Sequence, residues 1–404
     1  MPACPYRKIR SLGEGSVGDV QLCVDVVQRR LLVVKWLRAE LNEGSQAAIR
    51  FRREAERMAG AQFSGVIKVE EWGVDDYGRT WMAMEFVDGL SPADVIGPGD
   101  GWSVHRLLKG VGEGLDELHG LGIVHRDLKP ENVLLRASVD SWDPVIIDLG
   151  IAKWLAQDTA TATGSVFGTP YYMSPEQFRD SKHVGPATDR YALAVIAFEL
   201  LAGRRPFEGR TIPDLLRQHL ERDVPPLQIP RRLHTGVLHQ EGSSAWMLTP
   251  QLDAFMRRAM AKEPRMRFHS SAEMAQSFQR AAVADGLFEP AENMPLFDHL
   301  RCPIAEVTIG GERSQRFDLR HGPLVLGRHE SCQIVLAAPR LSRLHAAIYV
   351  HRGRLWAADL NSQNGSLFQG RPLNPGMPAP VPTDGRPVVF TLYNRDVTIR
   401  MLPV

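Results

Sequence analysis

Two aspartates and an asparagine near the middle of the chain are the residues best suited to chemistry. Asp127, Lys129 and Asn132 belong to the stretch HRDLKPEN at 125–132, and Asp148 follows an apolar run shortly after it. Carboxylate and amide oxygens that meet at one spot could position a hydroxyl group and hold a divalent metal ion, which phosphoryl transfer requires. Aspartate and asparagine are also common in capped turns, but the full eight-residue stretch is far more specific than HRD alone.

A glycine-rich loop and a lysine near the N-terminus could bind phosphate groups. Gly13, Gly15 and Gly18 fit the pattern GxGxxGxV, which Val20 closes. Glycine lets the backbone approach phosphate closely, and a position between two predicted strands separates this loop from a dinucleotide fingerprint. Alone, the pattern also fits a simple glycine hairpin. Lys35, on the third predicted strand, favours the nucleotide interpretation because its ammonium group could contact phosphates.

The periodicity of apolar residues predicts the elements that must position these groups. We expect three strands within residues 6–37 and two within residues 66–87. Helices are expected at 45–59, 103–121, 187–202, 250–261 and 270–284. Glu54, on the first helix, is the candidate ion-pair partner of Lys35, although a solvated surface glutamate is the plainer interpretation. The stretch 223–250 is rich in Pro and Gly and is expected to be a loop.

Residues 148–176 form a polar, threonine-rich segment that ends in SPE. Its composition fits a disordered loop, but a phosphorylated threonine could order it against an arginine. Arg126 is the candidate for that contact. Further along the chain, Asp189 could cap the helix at 187–202 or brace the HRD stretch, and Arg267 could pair with Glu176.

The overall composition excludes several classes of protein. A formal net charge of +1 argues against a nucleic-acid-binding protein. The 4 cysteines form no CxxC pair, which favours a reducing compartment without structural disulfides or zinc. No apolar run reaches the ~18 residues of a membrane span, and the first residues lack an apolar signal region. We therefore expect a cytoplasmic protein.

The sequence pattern changes after residue 284. Residues 285–303 are expected to be a linker, and short alternating apolar segments separated by Gly, Pro and Asn follow it. This pattern predicts an all-β sandwich, with a Pro-rich loop at 372–387.

Residues 6–284 resemble a eukaryotic-type (Hanks-type) Ser/Thr protein kinase of bacterial character. The glycine loop, VVK, REA, HRDLKPEN, DLG, GTPYYMSPEQ and PRMR occur in the order of that family. The resemblance implies an α+β bilobal fold at 1–284, with an N-lobe at 1–87 and a C-lobe at 88–284. DLG for DFG, SPE for APE, Val17 at the loop tip and Ala194 in the buried helix depart from the family pattern, but none removes a catalytic group.

The same resemblance assigns catalytic roles. Asp127 would orient the substrate hydroxyl and accept its proton, and Thr169 would help fix Asp127. Lys129 would stabilise the transferring phosphoryl group, while Lys35, locked by Glu54, would hold the nucleotide phosphates.

The resemblance also implies ligands and modification sites. Asn132 and Asp148 would hold Mg²⁺, or Mn²⁺ in its place, for ATP. The residues expected to line the ATP site are Leu12, Gly13, Glu14, Gly15, Gly18, Val20, Lys35, Glu85 and Val87. The threonines expected to be autophosphorylated are Thr159, Thr161 and Thr163.

Residues 304–404 resemble a forkhead-associated (FHA) domain, a β-sandwich that binds phosphothreonine peptides. The resemblance rests on the segments GR, LSRLHA and DLNSQNGS. It implies that Arg328, Ser342 and Arg343 hold the phosphate by charge-assisted hydrogen bonds, and that Gln363 and Asn364 contact the peptide. His345 would be structural. Plain surface charge on a sandwich is the alternative for the arginines.

The resulting prediction is an ATP-dependent Ser/Thr kinase that phosphorylates itself and protein substrates, and whose FHA domain recruits phosphothreonine-containing partners. A transient homodimer would serve autophosphorylation in trans, and neither nucleic acid nor a membrane span is expected. One alternative is a catalytically weak kinase-fold scaffold that acts by phospho-dependent binding. Another is a small-molecule phosphotransferase of related fold, but the long segment ending in GTPYYMSPE favours a protein substrate.

Overall fold

The computed structural model divides into two compact units. The first comprises Met1–Gly60, Val69–Asp88 and Pro295–Val404, and the second comprises Ala61–Lys68 and Gly89–Met294. The residues that the structure describes are 4–14, 18–38, 46–138, 141–148, 170–180, 184–230, 246–247, 249–287, 304–309, 314–319, 322–336, 338–351, 354–382, 384–393 and 395–402.

The first unit begins with a five-stranded antiparallel sheet and one helix. The strands are β1 (Arg7–Glu14), β2 (Gly18–Asp25), β3 (Arg30–Leu37), β4 (Val69–Val74) and β5 (Thr80–Glu85), in the order β1-β2-β3-β5-β4, and the helix is α1 (Gln46–Met58). Ala48, Phe51, Ala55 and Met58 are buried along one face of α1, which is the spacing of an amphipathic helix. The predicted strands at 6–37 and 66–87 and the helix at 45–59 are confirmed.

The second unit is mainly helical. Its strands are β6 (Gly89–Leu90), β7 (Val133–Ser138), β8 (Ser141–Ile146), β9 (Ile229–Pro230) and β10 (Trp246–Met247). Its helices are α2 (Pro92–Val95), α3 (Gly101–Gly120), α4 (Pro175–Arg179), α5 (Ala187–Ala202), α6 (Ile212–Glu221), α7 (Pro250–Ala259) and α8 (Ser271–Ala284). Helix α5 is buried almost all round and ends at Gly203, whose φ of 69° is the left-handed conformation that a helix C-terminus favours.

The four helices predicted for this unit are present as α3, α5, α7 and α8. Helices α2, α4 and α6 and strands β6–β8 were not predicted. The prediction that 223–250 is entirely loop is wrong, because β9 pairs with β10 within this stretch. Backbone hydrogen bonds between the two short strands explain why these residues are not loop. None of the helices that the structure describes has the length and apolar character needed to cross a membrane.

The C-terminal part of the first unit is a β-sandwich, as predicted. Its strands are β11 (Ile304–Ile309), β12 (Gln315–Asp318), β13 (Leu324–Gly327), β14 (Ile334–Val335), β15 (Ala346–His351), β16 (Arg354–Asp359), β17 (Ser366–Phe368), β18 (Arg371–Leu373), β19 (Ala379–Pro380), β20 (Val388–Leu392) and β21 (Arg395–Leu402). One sheet has the order β12-β11-β21-β20-β17-β18 and the other β14-β13-β15-β16-β19. Leu326, Ile348, Phe390 and Ile399 are among the buried core residues.

The Pro-rich run and the domain bounds of this part differ from a simple division along the chain. The run 372–387 is not loop throughout, because β18 ends in it and β19 pairs with β16. The predicted domain bounds, 1–284 and 304–404 with a linker at 285–303, follow the order of motifs along the chain. The two compact units follow contacts in space instead, so the N-terminal sheet and the sandwich fall in the same unit.

Candidate active site and candidate phosphopeptide site

The HRD stretch brings two polar side chains, Asn132 and Lys129, close to the carboxylate of Asp127. The Asn132 amide donates to the backbone carbonyl of Asp127 at 2.8 Å and lies 3.5 Å from its Oδ2. The Nζ of Lys129 lies 3.9 Å from the same Oδ2. The Asp127 side chain is only 16% exposed. The arrangement gives a fixed acceptor beside a positive charge.

A buried aspartate holds this loop in an uncommon backbone conformation. Arg126 has a φ of 63°, which costs a non-glycine residue of order 1–3 kcal/mol. The backbone N–H groups of His125 and Arg126 donate to the two carboxylate oxygens of Asp189 at 2.9 and 2.8 Å, and His119 Nε2 lies 2.8 Å from one of them. The N-cap residue of α5 is Pro186, so Asp189 braces the loop, one of its two predicted roles.

The Asp189 carboxylate stays ionised despite its burial. Burial alone would raise the pKa of Asp189, but the hydrogen bond with His119 and the electrostatic interaction with His125 outweigh it and lower the pKa. An ionised carboxylate accepts backbone hydrogen bonds about twice as strongly as a neutral group. The strained loop is therefore fixed by charge-assisted bonds.

Gln177 supports the same loop from α4, and the sequence interpretation missed it. Its Nε2 donates to the carbonyl of Arg126 at 2.8 Å, while its Oε1 accepts from the backbone N–H of Ser174 at 3.0 Å. The signal was present, because Ser174 and Gln177 have the spacing of a capping box. His119 was also missed, and a histidine inside an amphipathic helix gives no comparable signal.

The predicted ion pair between Glu176 and Arg267 is confirmed. The guanidinium of Arg267 is fully buried and donates to both carboxylate oxygens at 2.7 and 2.8 Å. Thr188 donates to the same carboxylate at 2.9 Å. Burial would raise the pKa of Glu176, but Arg267 more than offsets this and lowers it. The pair fixes α4 to the start of α5.

The donor atoms of Asn132 and Asp148 fit a magnesium or manganese ion. The Asn132 amide nitrogen is committed to the Asp127 carbonyl, which leaves its oxygen as the atom able to ligate. The Asn132 carbonyl accepts from Ile147 N–H at 2.9 Å, so the chain that carries Asp148 is tied to Asn132. An amide oxygen and a carboxylate are ligands that these hard cations accept.

The predicted phosphate-binding residues lie on the N-terminal sheet. Val20 pairs across the strands with Lys35, which places them on one face, and Lys35 is only 8% exposed. A Cβ on Gly18 would come 1.9 Å from the Trp36 carbonyl oxygen, so this position requires glycine. Glu54 lies half-buried on α1, and its pairing with Lys35 stays a prediction.

The remaining nucleotide-site residues divide into two groups. Leu12, Gly13 and Glu14 end β1, Glu85 ends β5, and Val87 is buried just after it. Predicted residues outside the described part of the chain are Gly15, Thr159, Thr161, Thr163 and Thr169.

Three loops of the sandwich bring the predicted phosphothreonine-binding residues together. Arg328 N–H donates to the Ser342 carbonyl at 3.2 Å, and Gln363 N–H donates to the Ser342 hydroxyl at 2.9 Å. The Asn364 amide donates to the Arg340 carbonyl at 2.6 Å, so its oxygen is the atom left for a peptide. The side chains of Arg328 and Arg343 are exposed, as binding a charged ligand requires.

His345 ties these loops to the sandwich. It is fully buried; its Nδ1 accepts from Ser342 N–H at 3.2 Å, and its Nε2 lies 3.1 Å from the carbonyl of Gly365. The second contact requires the hydrogen on Nε2, and burial lowers the pKa of this imidazole. His345 is therefore neutral and structural, as the sequence predicted.

A bilobal arrangement of this kind followed by a β-sandwich is the architecture of a protein kinase joined to an FHA domain. The protein kinase domain model matches residues 6–279 and the FHA domain model matches residues 324–386. The chain therefore belongs to the protein kinase family and carries an FHA domain.

The relatives are bacterial. The chain is 33% identical over 303 residues to the serine/threonine-protein kinase pkn2 of Myxococcus xanthus, with 72% of this chain and 34% of the relative covered. It is 32% identical over 271 residues to PknB of Mycobacterium leprae, with coverages of 65% and 40%. The chain thus spans two fifths or less of the length of these relatives. A solved structure of the Mycobacterium tuberculosis PknI kinase domain is similar at 25% identity and a TM-score of 0.48, covering 69% of this chain and 97% of that one.

Proposed function

We propose that this chain is an ATP-dependent Ser/Thr protein kinase that phosphorylates itself and protein substrates. The observation that carries the proposal is the frame around Asp127, in which Asn132 fixes the backbone and Lys129 places a positive charge 3.9 Å from the carboxylate. Little covalent chemistry is required of a kinase; positioning and charge neutralisation dominate. The frame supplies both.

Each of these residues would have a separate role in the transfer to a substrate hydroxyl. Asp127 accepts a hydrogen bond from the hydroxyl and takes its proton as the hydroxyl oxygen bonds to the γ-phosphorus of ATP. The bond from that phosphorus to the bridging oxygen of ADP breaks, and Lys129 neutralises charge on the transferring group. Asn132 and Asp148 would hold magnesium, which would supply further charge neutralisation, and Lys35 would bind the nucleotide phosphates.

A protein substrate is favoured by the elements that follow the threonine-rich segment. Helix α4 is fixed to α5 by the buried Glu176–Arg267 pair and to the HRD loop by Gln177. A rigid platform after a long polar segment suits an extended peptide, because binding then aligns one hydroxyl with Asp127.

The direct test is to treat the purified full chain with phosphatase, remove the phosphatase, add Mg-ATP and map phosphosites by mass spectrometry. We expect phosphothreonine at one or more of Thr159, Thr161 and Thr163, and phosphate on an added protein substrate. A chain that binds ATP but transfers no phosphate to itself or to any added protein would instead be a phospho-dependent scaffold.

We further propose that the FHA domain recruits phosphothreonine-containing partners. Arg328 and Arg343 are exposed, and each adjoins Ser342, Arg328 through a backbone hydrogen bond and Arg343 as its sequence neighbour. The Ser342 hydroxyl can donate its hydrogen while its oxygen accepts from Gln363. Charge-assisted hydrogen bonds to phosphate suit this set. A phosphorylated substrate, or a second copy of the kinase held transiently, would then be concentrated near the catalytic residues.

Binding of the full chain to matched phosphothreonine, phosphoserine and unmodified peptides, taken from its own mapped phosphosites, tests this role. The phosphothreonine peptide should bind best. Equal binding of all three would remove the reader function and leave the kinase proposal untouched.

A further inference from the structure

The outer face of the sandwich's five-stranded sheet is apolar and buried. Along β13 and β15, Leu326 and Ile348 point into the sandwich core. The alternate residues Val325, Ala347 and Tyr349 belong to a separate buried cluster and are fully buried too. Outward positions of a sandwich strand are normally polar and solvated, so something must cover this face.

The cover is the N-terminal sheet of the same chain. Ile9, Leu22 and Val24 of β1 and β2 are fully buried and belong to the same cluster as Val325 and Tyr349. Partly buried apolar side chains complete it on both sides: Val26, Leu31 and Phe86 from the kinase, and Leu344 and Trp356 from the sandwich. Two apolar faces thus bury each other, which is the main favourable term in association.

The two surfaces also approach closely at the backbone and make contacts at the edge of the apolar cluster. Gly322 has a φ of +128°, and a Cβ there would come 2.1 Å from the Arg29 carbonyl oxygen. At the rim, the His351 ring centroid lies 5.5 Å from that of Phe86, and its Nδ1 lies 3.6 Å from Asp88 Oδ1. Close backbone approach at a residue that must be glycine distinguishes a fitted interface from a loose encounter.

We propose that the outer face of β13, β15 and β16 is a permanent docking surface for β1 and β2, so that the FHA domain is a fixed part of the N-lobe. The domain is then held in place rather than tethered by the segment that precedes it. Within the first unit, residues of the interface adjoin predicted binding residues: Cys332 Sγ donates to the Arg343 carbonyl at 3.4 Å, and Phe86 is the sequence neighbour of Glu85 and Val87.

Cysteine accessibility in the full chain tests the docking. Ala347→Cys is a small change at the centre of the proposed surface, and Ala358→Cys is a second such variant should the first fold poorly. Val389→Cys is the matched control, since Val389 is 39% exposed on the other sheet. We expect A347C to react with a maleimide at least about tenfold more slowly than V389C, equivalent to ~1.4 kcal/mol of protection.

A second change identifies what covers the face. Ile9→Glu places a charge on the kinase side, and it should accelerate labelling of A347C at least about tenfold. Cys23, buried on the opposite face of the N-terminal sheet with Val34 and Trp81, reports whether that sheet itself unfolds. Labelling rates should not depend on protein concentration, as they would if a second copy were the cover.

Two labelling results would contradict the docking of this face on β1 and β2. Labelling of A347C and A358C as fast as that of V389C would mean that the face is open. Slow labelling that Ile9→Glu leaves unchanged, or that slows further as protein concentration rises, would assign the cover to something other than β1 and β2.

Discussion

Arg267 illustrates how a single buried side chain fixes the geometry around the candidate active site. Its guanidinium donates to both oxygens of Glu176 and to the carbonyls of Ala187, Ala261 and Lys262. Five directed donors are a property of arginine that lysine cannot reproduce. The residue therefore acts as a hub that joins α4, the start of α5 and the segment before α8.

Replacing Arg267 should lower the free energy of unfolding substantially. Arg267→Ala leaves the Glu176 carboxylate without its ion-pair partner, and breaking a buried pair in this way costs about 3–5 kcal/mol. Urea unfolding followed by fluorescence measures the loss, with Arg265→Ala as the control because Arg265 is exposed. If the two variants unfold at the same urea concentration, the stabilising role of Arg267 is refuted.

The sequence predicted individual residues well where motifs are contiguous and poorly where partners are distant. HRDLKPEN places Asp127, Lys129 and Asn132 within a few residues, so their proximity follows from the chain itself. His119 contacts Asp189 70 positions away, and a contact of that kind depends on helix packing. The sequence therefore predicted what Asp189 could do, but not which side chain would complete the brace.

At the level of elements, α5 depends on carboxylates whose ionisation is linked to folding. The pKa values of Asp189 and Glu176 are both lowered from their ordinary values of 3.8 and 4.5. The unfolded chain therefore binds protons more readily than the folded chain. Their stabilisation is complete above these ordinary values and disappears as pH falls through the lowered ones.

This linkage predicts acid sensitivity in the second unit. The urea concentration at which half of the protein is unfolded should decrease as the pH is lowered from about 7 to about 3. The lower limit lies below the ordinary pKa values of these carboxylates. Asp189→Asn should lower stability at neutral pH and flatten the dependence, because one linked carboxylate is gone. An Asp189→Asn chain with the same pH profile as the wild type would rule out Asp189 as a source of the linkage.

The threonine-rich segment is the second element with a testable property. Phosphate on Thr159, Thr161 or Thr163 adds close to two negative charges, which Arg126 can neutralise. Alanine at all three positions should lower activity towards an added protein substrate, measured by phosphate incorporation after preincubation with Mg-ATP. Undiminished activity, with no phosphate found between 158 and 168, would exclude activation through this segment.

Elements that the sequence missed have physical explanations. Strand β8 contains Pro144, which argues against a strand, but β8 is an edge of the β6-β7-β8 sheet, where proline is tolerated. Helix α6 is short, although Thr211 at its N-cap and Pro213 in its first turn are start signals. The strand was obscured because its edge position cannot be seen in the local sequence. The helix could have been predicted, because its start signals are local.

At the scale of the whole molecule, the run AAIYV in β15 is apolar on both faces. Sequence alone predicts a sandwich strand from this run, but it cannot say what lies against the second face. The partner, β1 and β2, is more than 300 residues away along the chain. The contact between this second face and β1 and β2 is therefore visible in the structure and not in the sequence pattern.

If the FHA domain binds phosphothreonine-containing partners as proposed, a change in its binding residues should weaken the binding of these partners and leave phosphoryl transfer itself unchanged. Arg328→Ala should weaken phosphothreonine-peptide binding by the full chain at least about tenfold, or ~1.4 kcal/mol. Arg371→Ala, an exposed arginine on the other sheet, is the control. Turnover of a short generic peptide should be nearly unchanged in R328A. A comparable loss in both variants would show that Arg328 has no specific role.

The central claim, catalysis of phosphoryl transfer, depends on Asp127, and Asp127→Asn tests it most directly. The change keeps the shape of the side chain but removes the group that accepts the proton. Asp143→Asn is the matched control, because Asp143 is 59% exposed and pairs with Arg106. Transfer of phosphate from Mg-ATP to an added protein should be abolished in D127N and retained in D143N, while both still bind nucleotide. Phosphate transfer by D127N at the wild-type rate would contradict the account.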